Sequence, residues 1–242
     1  MKRGVCVLAL VLITSHASAP ANTAHDPLTA ILKRGGYTVS LGLKVRKKKR
    51  YSVQRVMEGI LGDDRPNAYA TGFVVGDGLV MTAHHVVSGS LSAHKKKLLG
   101  FSRDAELEAV AYVNGCEATV LKVDPDADLA LLGVCKAEDE AGGRAYQPAP
   151  SRDEMLLVIA RPDGNRTVRR GAFSGTYTYG GQQYWAADIE GRDGFSGSPV
   201  FNGRGEIVGV FSRYDPTQRV ALITPAARAQ KLIEDYASSV RP

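Results

Sequence analysis

The sequence predicts an all-β protein built as two consecutive units, followed by one C-terminal helix. Three observations carry that prediction. Short apolar runs recur with turn signals between them from about Ala68 onward, a polar stretch rich in Gly and Pro interrupts them once, and helical periodicity is clear only at the end. Of the 242 residues, 44% are hydrophobic and 23% charged, an ordinary globular balance that argues against disorder throughout.

The N-terminus reads as an export signal. Lys2 and Arg3 precede the apolar run Val5 to Ile13, and small residues follow, so residues 1–21 are expected to be a secretory signal cut after Ala17 or Ala21. The run is too short to cross a bilayer, and Cys6 lies too early for a lipoprotein signal. The expected location is secreted or periplasmic, and no transmembrane segment is expected. Losing Lys2 and Arg3 lowers the formal charge of +6 by two, which leaves the chain mildly basic.

Residues 22–67 form an N-terminal segment that either opens the first β unit with a strand or hairpin or forms an arm. It holds the run Lys44 to Arg50, KVRKKKR, which together with Lys95, Lys96 and Lys97 is dense enough to attract an anionic surface or polymer. A solvated loop or hairpin is the plainer reading. Only Tyr51 places an aromatic beside these lysines, so a stacking platform for single-stranded nucleic acid is not indicated.

The first β unit is expected over residues 68–137, with strands at Ala70 to Val75, Leu79 to Thr82, Glu117 to Val123 and Asp128 to Val134. Asp124-Pro125-Asp126-Ala127 carries Asp and Pro where a turn wants them. A hairpin folded symmetrically about Pro125 and Asp126 sets Cys116 opposite Cys135, the two cysteines that export leaves in the chain. In an oxidising compartment a disulfide is expected there, worth about 3 kcal/mol through loop closure. Residues 138–150, rich in polar residues, Gly and Pro, read as the linker.

The second unit is expected over residues 151–242. Its strands fall at Met155 to Ala160, Phe173 to Tyr179, Tyr184 to Ile189, Pro199 to Phe201, Glu206 to Ser212 and Arg219 to Ile223. Thr224 is placed to cap the final helix and Pro225 to sit in its first turn, while Ala229, Leu232, Ile233 and Tyr236 share one face.

Chemistry centres on residues 191–201, GRDGFSGSPVF. Gly and Ser cluster in turns for backbone reasons alone, so this stretch by itself reads as a turn. A serine nucleophile needs an imidazole within reach of its proton, and the imidazole needs an acceptor on its other nitrogen. The histidines are His16, His25, His84, His85 and His94, and none follows Ser196. That excludes the chain order nucleophile, acid, histidine, and Ser198 breaks the G-x-S-x-G elbow. The order left is His, Asp, Ser. A zinc site on His84, His85 and His94 is disfavoured, because adjacent residues on a strand face opposite ways and no H-E-x-x-H pattern exists. No metal and no cofactor is expected.

Three motifs resemble those of the trypsin-like serine proteases, nearest the bacterial Deg and glutamyl-endopeptidase branches. ATGFVV at 70–75 with VMTAHHVV at 80–87 is similar to the G-S/T-G-F strand and T-x-x-H-x-V motif, DLALL at 128–132 to the acid motif, and GFSGSPV at 194–200 to the nucleophile motif. GEIVGV at 205–210 resembles the strand that follows. The resemblance covers roughly Ala68 to Tyr236. It implies two six-stranded antiparallel β-barrels of the chymotrypsin type, the first carrying His and Asp and the second carrying Ser.

By position in these motifs, the resemblance implies a triad of His85, Asp128 and Ser196, with an oxyanion hole from the N–H groups of Gly194 and Ser196. His84 is then a packing or surface residue. The substrate pocket would draw on Glu190, Ser212, Arg213 and Tyr214; Glu190 at its base would favour a basic side chain, and Arg213 pointing inward an acidic one. Phe195 stands where the digestive members carry an Asp that pairs with a newly cut N-terminus, so activity is not expected to require such a cut. The expected function is a secreted serine endopeptidase acting on protein or peptide substrates, probed against an inactive protease-fold module that binds through its groove or basic patch. A monomer is expected, and, since the sequence ends soon after Tyr236, no PDZ domain.

Overall fold

The computed structural model of the chain describes residues 27–33, 35–48, 65–76, 78–135, 146 and 149–240. The expected export signal, most of the expected linker, and Lys49 and Arg50 of the basic run lie outside the described residues. No helix among the described residues is long and apolar enough to cross a membrane.

The first sheet begins at Thr38, thirty residues before the boundary expected at Ala68, because the stretch from Thr38 to Lys47, with the first residues of the basic run, is a strand. Strand β1 (Thr38–Lys47) pairs with β2 (Ala68–Gly76) on one side and with β4 (Leu107–Val113) on the other. Its apolar positions alternate inward, with Leu41, Leu43 and Val45 buried, so the lysines and Arg46 occupy the intervening or terminal positions. Arg46 Nε meets Glu108 Oε1 of β4 at 2.6 Å.

The hydrogen-bonded order of this sheet is β5-β4-β1-β2-β3-β7-β6, all antiparallel, with β3 at Leu79–Ala83; counting the two edge strands as the one segment they form gives six. The two edge strands, β5 (Cys116–Glu117) and β6 (Thr119–Asp124), are one segment interrupted only at Ala118. One half pairs with β4 and the other with β7 (Leu129–Gly133), so one continuous segment joins the two edges of this barrel-like sheet. Every residue from Leu129 to Leu132 is fully buried. Ala130 and Leu132 face the barrel interior, while Leu129 and Leu131 face outward into a second core, as a period of two requires.

The second unit is a closed six-stranded barrel. Around it run β10 (Gln182–Ala187), β13 (Val220–Pro225), β12 (Ile207–Asp215), β11 (Pro199–Phe201), β8 (Met155–Ala160) and β9 (Thr167–Tyr179). The β8–β9 hairpin closes tightly, with Ala160 opposite Thr167, so β9 starts six residues before the expected Phe173.

Between the barrels lies a shared core of Phe73, Met81, Leu129 and Leu131 from the first and Ile159, Phe201 and Val210 from the second. The C-terminal helix, Ala226–Val240, seals it with Ala229 and Leu232, and Ile233 and Tyr236 pack alongside as the periodicity predicts. Thr224 does not cap this helix and Pro225 does not sit in its first turn, because both belong to β13 and the helix starts at Ala226. The Thr224 hydroxyl donates to Ala127 O at 2.7 Å, tying the second barrel to the turn before Asp128.

Candidate active site

His85 is set by a single helical turn, His84–Val87, that follows β3 (Leu79–Ala83). The first N–H groups of a helix lack partners inside it. Here His84 N donates to Asp128 O at 3.0 Å and His85 N to Asp128 Oδ1 at 2.9 Å. Asp128 thus anchors both the backbone and the ring of His85. His84 itself is half-buried.

Asp128 stands at the end of the turn between β6 and β7 with φ of 55°, a left-handed conformation that Asp tolerates better than most residues. Asp124 Oδ1 accepts from Ala127 N at 3.0 Å and holds that turn. The Asp128 carboxylate is only 5% exposed. It accepts from His85 Nδ1 at 2.8 Å through Oδ2, with Oδ1 at 3.1 Å, and Oδ2 also accepts from the Ser212 hydroxyl. Burial alone would raise its pKa; the hydrogen bond and charge of His85 and the bond from Ser212 outweigh burial and bring it from 3.8 to about 2.

Ser196 comes from the second barrel, on the loop between β10 and β11. His85 Nε2 lies 2.9 Å from its Oγ, so three side chains from two barrels form one continuous hydrogen-bonded row. The loop reaches this geometry through two left-handed glycines, Gly194 (φ 88°) and Gly197 (φ 85°). A Cβ on Gly197 would lie 2.1 Å from Thr71 O, and one on Gly194 would lie 2.5 Å from the Pro162 backbone. Phe195 N donates to Arg192 O and Ser198 N to Phe195 O, while Gly197 N donates to Phe211 O. Among the described residues, the N–H groups of Gly194 and Ser196 have no acceptor, which leaves both donors free.

Phe195 is fully buried, its ring edge-on to Phe211 at 5.8 Å. The four residues named for a substrate pocket have different surroundings. Ser212 is buried against Asp128, Arg213 reaches Asp128 Oδ2 at 3.5 Å and lies over the Tyr179 ring at 5.3 Å, Glu190 is exposed, and Tyr214 packs on the second barrel's core. Sequence reasoning missed Thr71. Its hydroxyl donates to Gly194 O at 2.8 Å and accepts from Arg161 N at 2.8 Å, and its N–H donates to Ser196 O at 3.0 Å. The signal was present, since Thr71 is the hydroxyl position of the G-S/T-G-F motif.

Among the described residues no cluster of His, Cys, Asp and Glu is arranged to hold a metal. Cys116 and Cys135 are joined by a disulfide, with 6.1 Å between their Cα atoms.

The model of the trypsin-like peptidase domain matches residues 70–210. Among curated proteins, Serine protease HTR4 of Bos taurus is 24% identical over 184 residues, 72% of this chain and 35% of that protein. The chloroplastic Protease Do-like 2 of Arabidopsis thaliana is 28% identical over 180 residues, 68% of this chain and 27% of that protein. The chain thus spans about a third or less of the length of these relatives. Among solved structures, an inactive mutant form of Rv3671c from M. tuberculosis H37Rv superposes with a TM-score of 0.57 at 19% identity, covering 93% of this chain and 98% of that one. A second inactive form of Rv3671c gives 0.54 at 20% identity, covering 85% and 91%. These likenesses establish the two-barrel fold. With the family model spanning the strand before His85 through the strand after Ser196, the chain belongs to the trypsin-like peptidase domain family.

Proposed function

We propose that this chain is a secreted serine endopeptidase that cleaves peptide bonds through Ser196, His85 and Asp128. The observation that carries the reading is the row Ser196 Oγ, His85 Nε2, His85 Nδ1, Asp128 Oδ2, with contacts of 2.9 and 2.8 Å. An ionised Asp128 accepts the proton on Nδ1, so Nε2 presents its lone pair to the serine hydroxyl. His85 takes that proton as Ser196 Oγ bonds the carbonyl carbon. The free N–H groups of Gly194 and Ser196 receive the charge that develops on oxygen, at no cost of reorganisation during the reaction. His85 then returns the proton to the leaving amine, and water repeats the cycle on the acyl-enzyme. Export is supported by the N-terminal signal pattern and by the Cys116–Cys135 disulfide, which an oxidising compartment maintains.

The test is labelling by a fluorophosphonate probe. Wild type is expected to label covalently at Ser196, and Ser196→Ala and His85→Ala are expected not to. A wild-type protein that stays unlabelled while folded would overturn the reading.

A further inference from the structure

A cleft of about 290 Å³ runs away from His85 and Ser196, and the mechanism above leaves it unused. Its floor is apolar, formed by the buried Leu43 and Val45 of β1, and its walls carry Leu91, Leu98 and Tyr69. Two of these hold apolar surface open to solvent: Leu98 is 69% exposed and Tyr69 44%. Such a patch beside a nucleophile is a contact surface in want of a partner. Among the described residues, Lys95 and Asp193 are the charged pair lining the cleft, with 2.7 Å between them. Among the described residues none from β12 lines it, so Ser212, Arg213 and Tyr214 are not part of it.

We infer, building on the peptidase reading, that this cleft binds the residue directly after the scissile bond and selects for a large apolar side chain there. The leaving nitrogen must come within hydrogen-bond reach of His85 Nε2 to receive its proton. The side chain carried on that nitrogen's own residue then enters the space that His85, Val86 and Ser196 share, which is this cleft. An apolar side chain gains by leaving water there. A charged one loses hydration and finds Lys95 and Asp193 already neutralised by each other.

Running the leaving step backwards tests this without knowing what the enzyme prefers on the acyl side. p-Nitrophenyl acetate acetylates Ser196 and releases p-nitrophenol. An added amino-acid amide then attacks the acetyl carbon: the N–C bond forms, the Ser196 Oγ–C bond breaks, and the amine proton passes through His85 to Ser196 Oγ. The yield of N-acetyl amide relative to acetate, measured by mass spectrometry, reports occupancy of the cleft. Leucinamide and phenylalaninamide are expected to outcompete glycinamide by about tenfold or more, and the α-amides of Asp and Lys are not. In Leu98→Asp the advantage of leucinamide over glycinamide is expected to shrink severalfold. Because each result is a ratio within one acyl-enzyme, a poorly folded variant lowers both products and leaves the ratio unmoved. An acetyl-enzyme with a flat series, or one favouring charged amides, overturns this inference alone; no acetyl-enzyme and no fluorophosphonate labelling overturn the peptidase reading and this inference with it.

Discussion

Thr71, from the first barrel, makes two hydrogen bonds to the nucleophile loop of the second. Fully buried, it accepts from Arg161 N, donates to Gly194 O and Ser196 O, and has its own carbonyl held by Thr82 Oγ1 at 2.8 Å. It therefore acts as a positioning residue for the two donors expected to hold the oxyanion. Thr71→Val keeps the shape and removes the hydroxyl, and kcat is expected to fall roughly tenfold or more with KM little changed. Thr71→Ser should restore it, an outcome that a packing role would not give. Asp128 supports a prediction about acid. Its folded pKa of about 2 lies below its ordinary 3.8, so it stabilises the fold above pH 4, and that contribution is lost as pH falls toward 2. The loss is on the order of 2 kcal/mol, and denaturant titrations at stepped pH should find it absent from Asp128→Asn. The proposed triad was named from the chain order that the histidines allow together with the resemblance of three motifs. Ser212 was named for a substrate pocket, and its bond to Asp128 went unread, since spacing along a strand does not say which side chain it meets.

At the scale of elements, the β6–β7 hairpin shows how local pattern and real register part. A symmetrical hairpin would place Cys116 opposite Cys135, but Asp124 pairs with Leu129 and Thr119 with Gly133, with a bulge between Val120 and Lys122. Cys116 sits instead in β5, opposite Val113, and reaches Cys135 from the other edge of the sheet. The expected partners were right and the expected ladder was not. This disulfide closes the seam where Ala118 interrupts the edge segment. Replacing both cysteines by serine is expected to cost about 3 kcal/mol in equilibrium unfolding, with fluorophosphonate labelling retained at low temperature. Strand β4 went unread because its Leu107, Ala111 and Val113 are buried with three half-buried residues between the first two, an alternation too weak to stand out.

At the scale of the molecule, the site exists only where the barrels meet. His85 and Asp128 come from one and Ser196 from the other, and the shared core of Phe73, Leu131, Phe201 and Leu232 holds them in register. Phe195 belongs to the second barrel's core, so the place beside the nucleophile is filled by an aromatic ring and not by a carboxylate. Forms of the protein that begin at different residues before Pro27, with or without a free terminal amine near that point, are expected to show equal kcat/KM. A form activated from zero only by a defined cut would contradict this.

The sequence by itself determined the β class, the strands with strong alternation, the final helix and the three residues whose chain order allows an acyl-transfer site. These follow from local periodicity and from residue chemistry, which need no partner to be read. Only the tertiary structure decided that β1 belongs to the first barrel, that Ser212 and Thr71 support the site, and that an apolar cleft opens beside His85. Each depends on contacts between segments tens of residues apart, from Thr71 to Gly194 and from Asp128 to Ser212, and no local pattern encodes those distances.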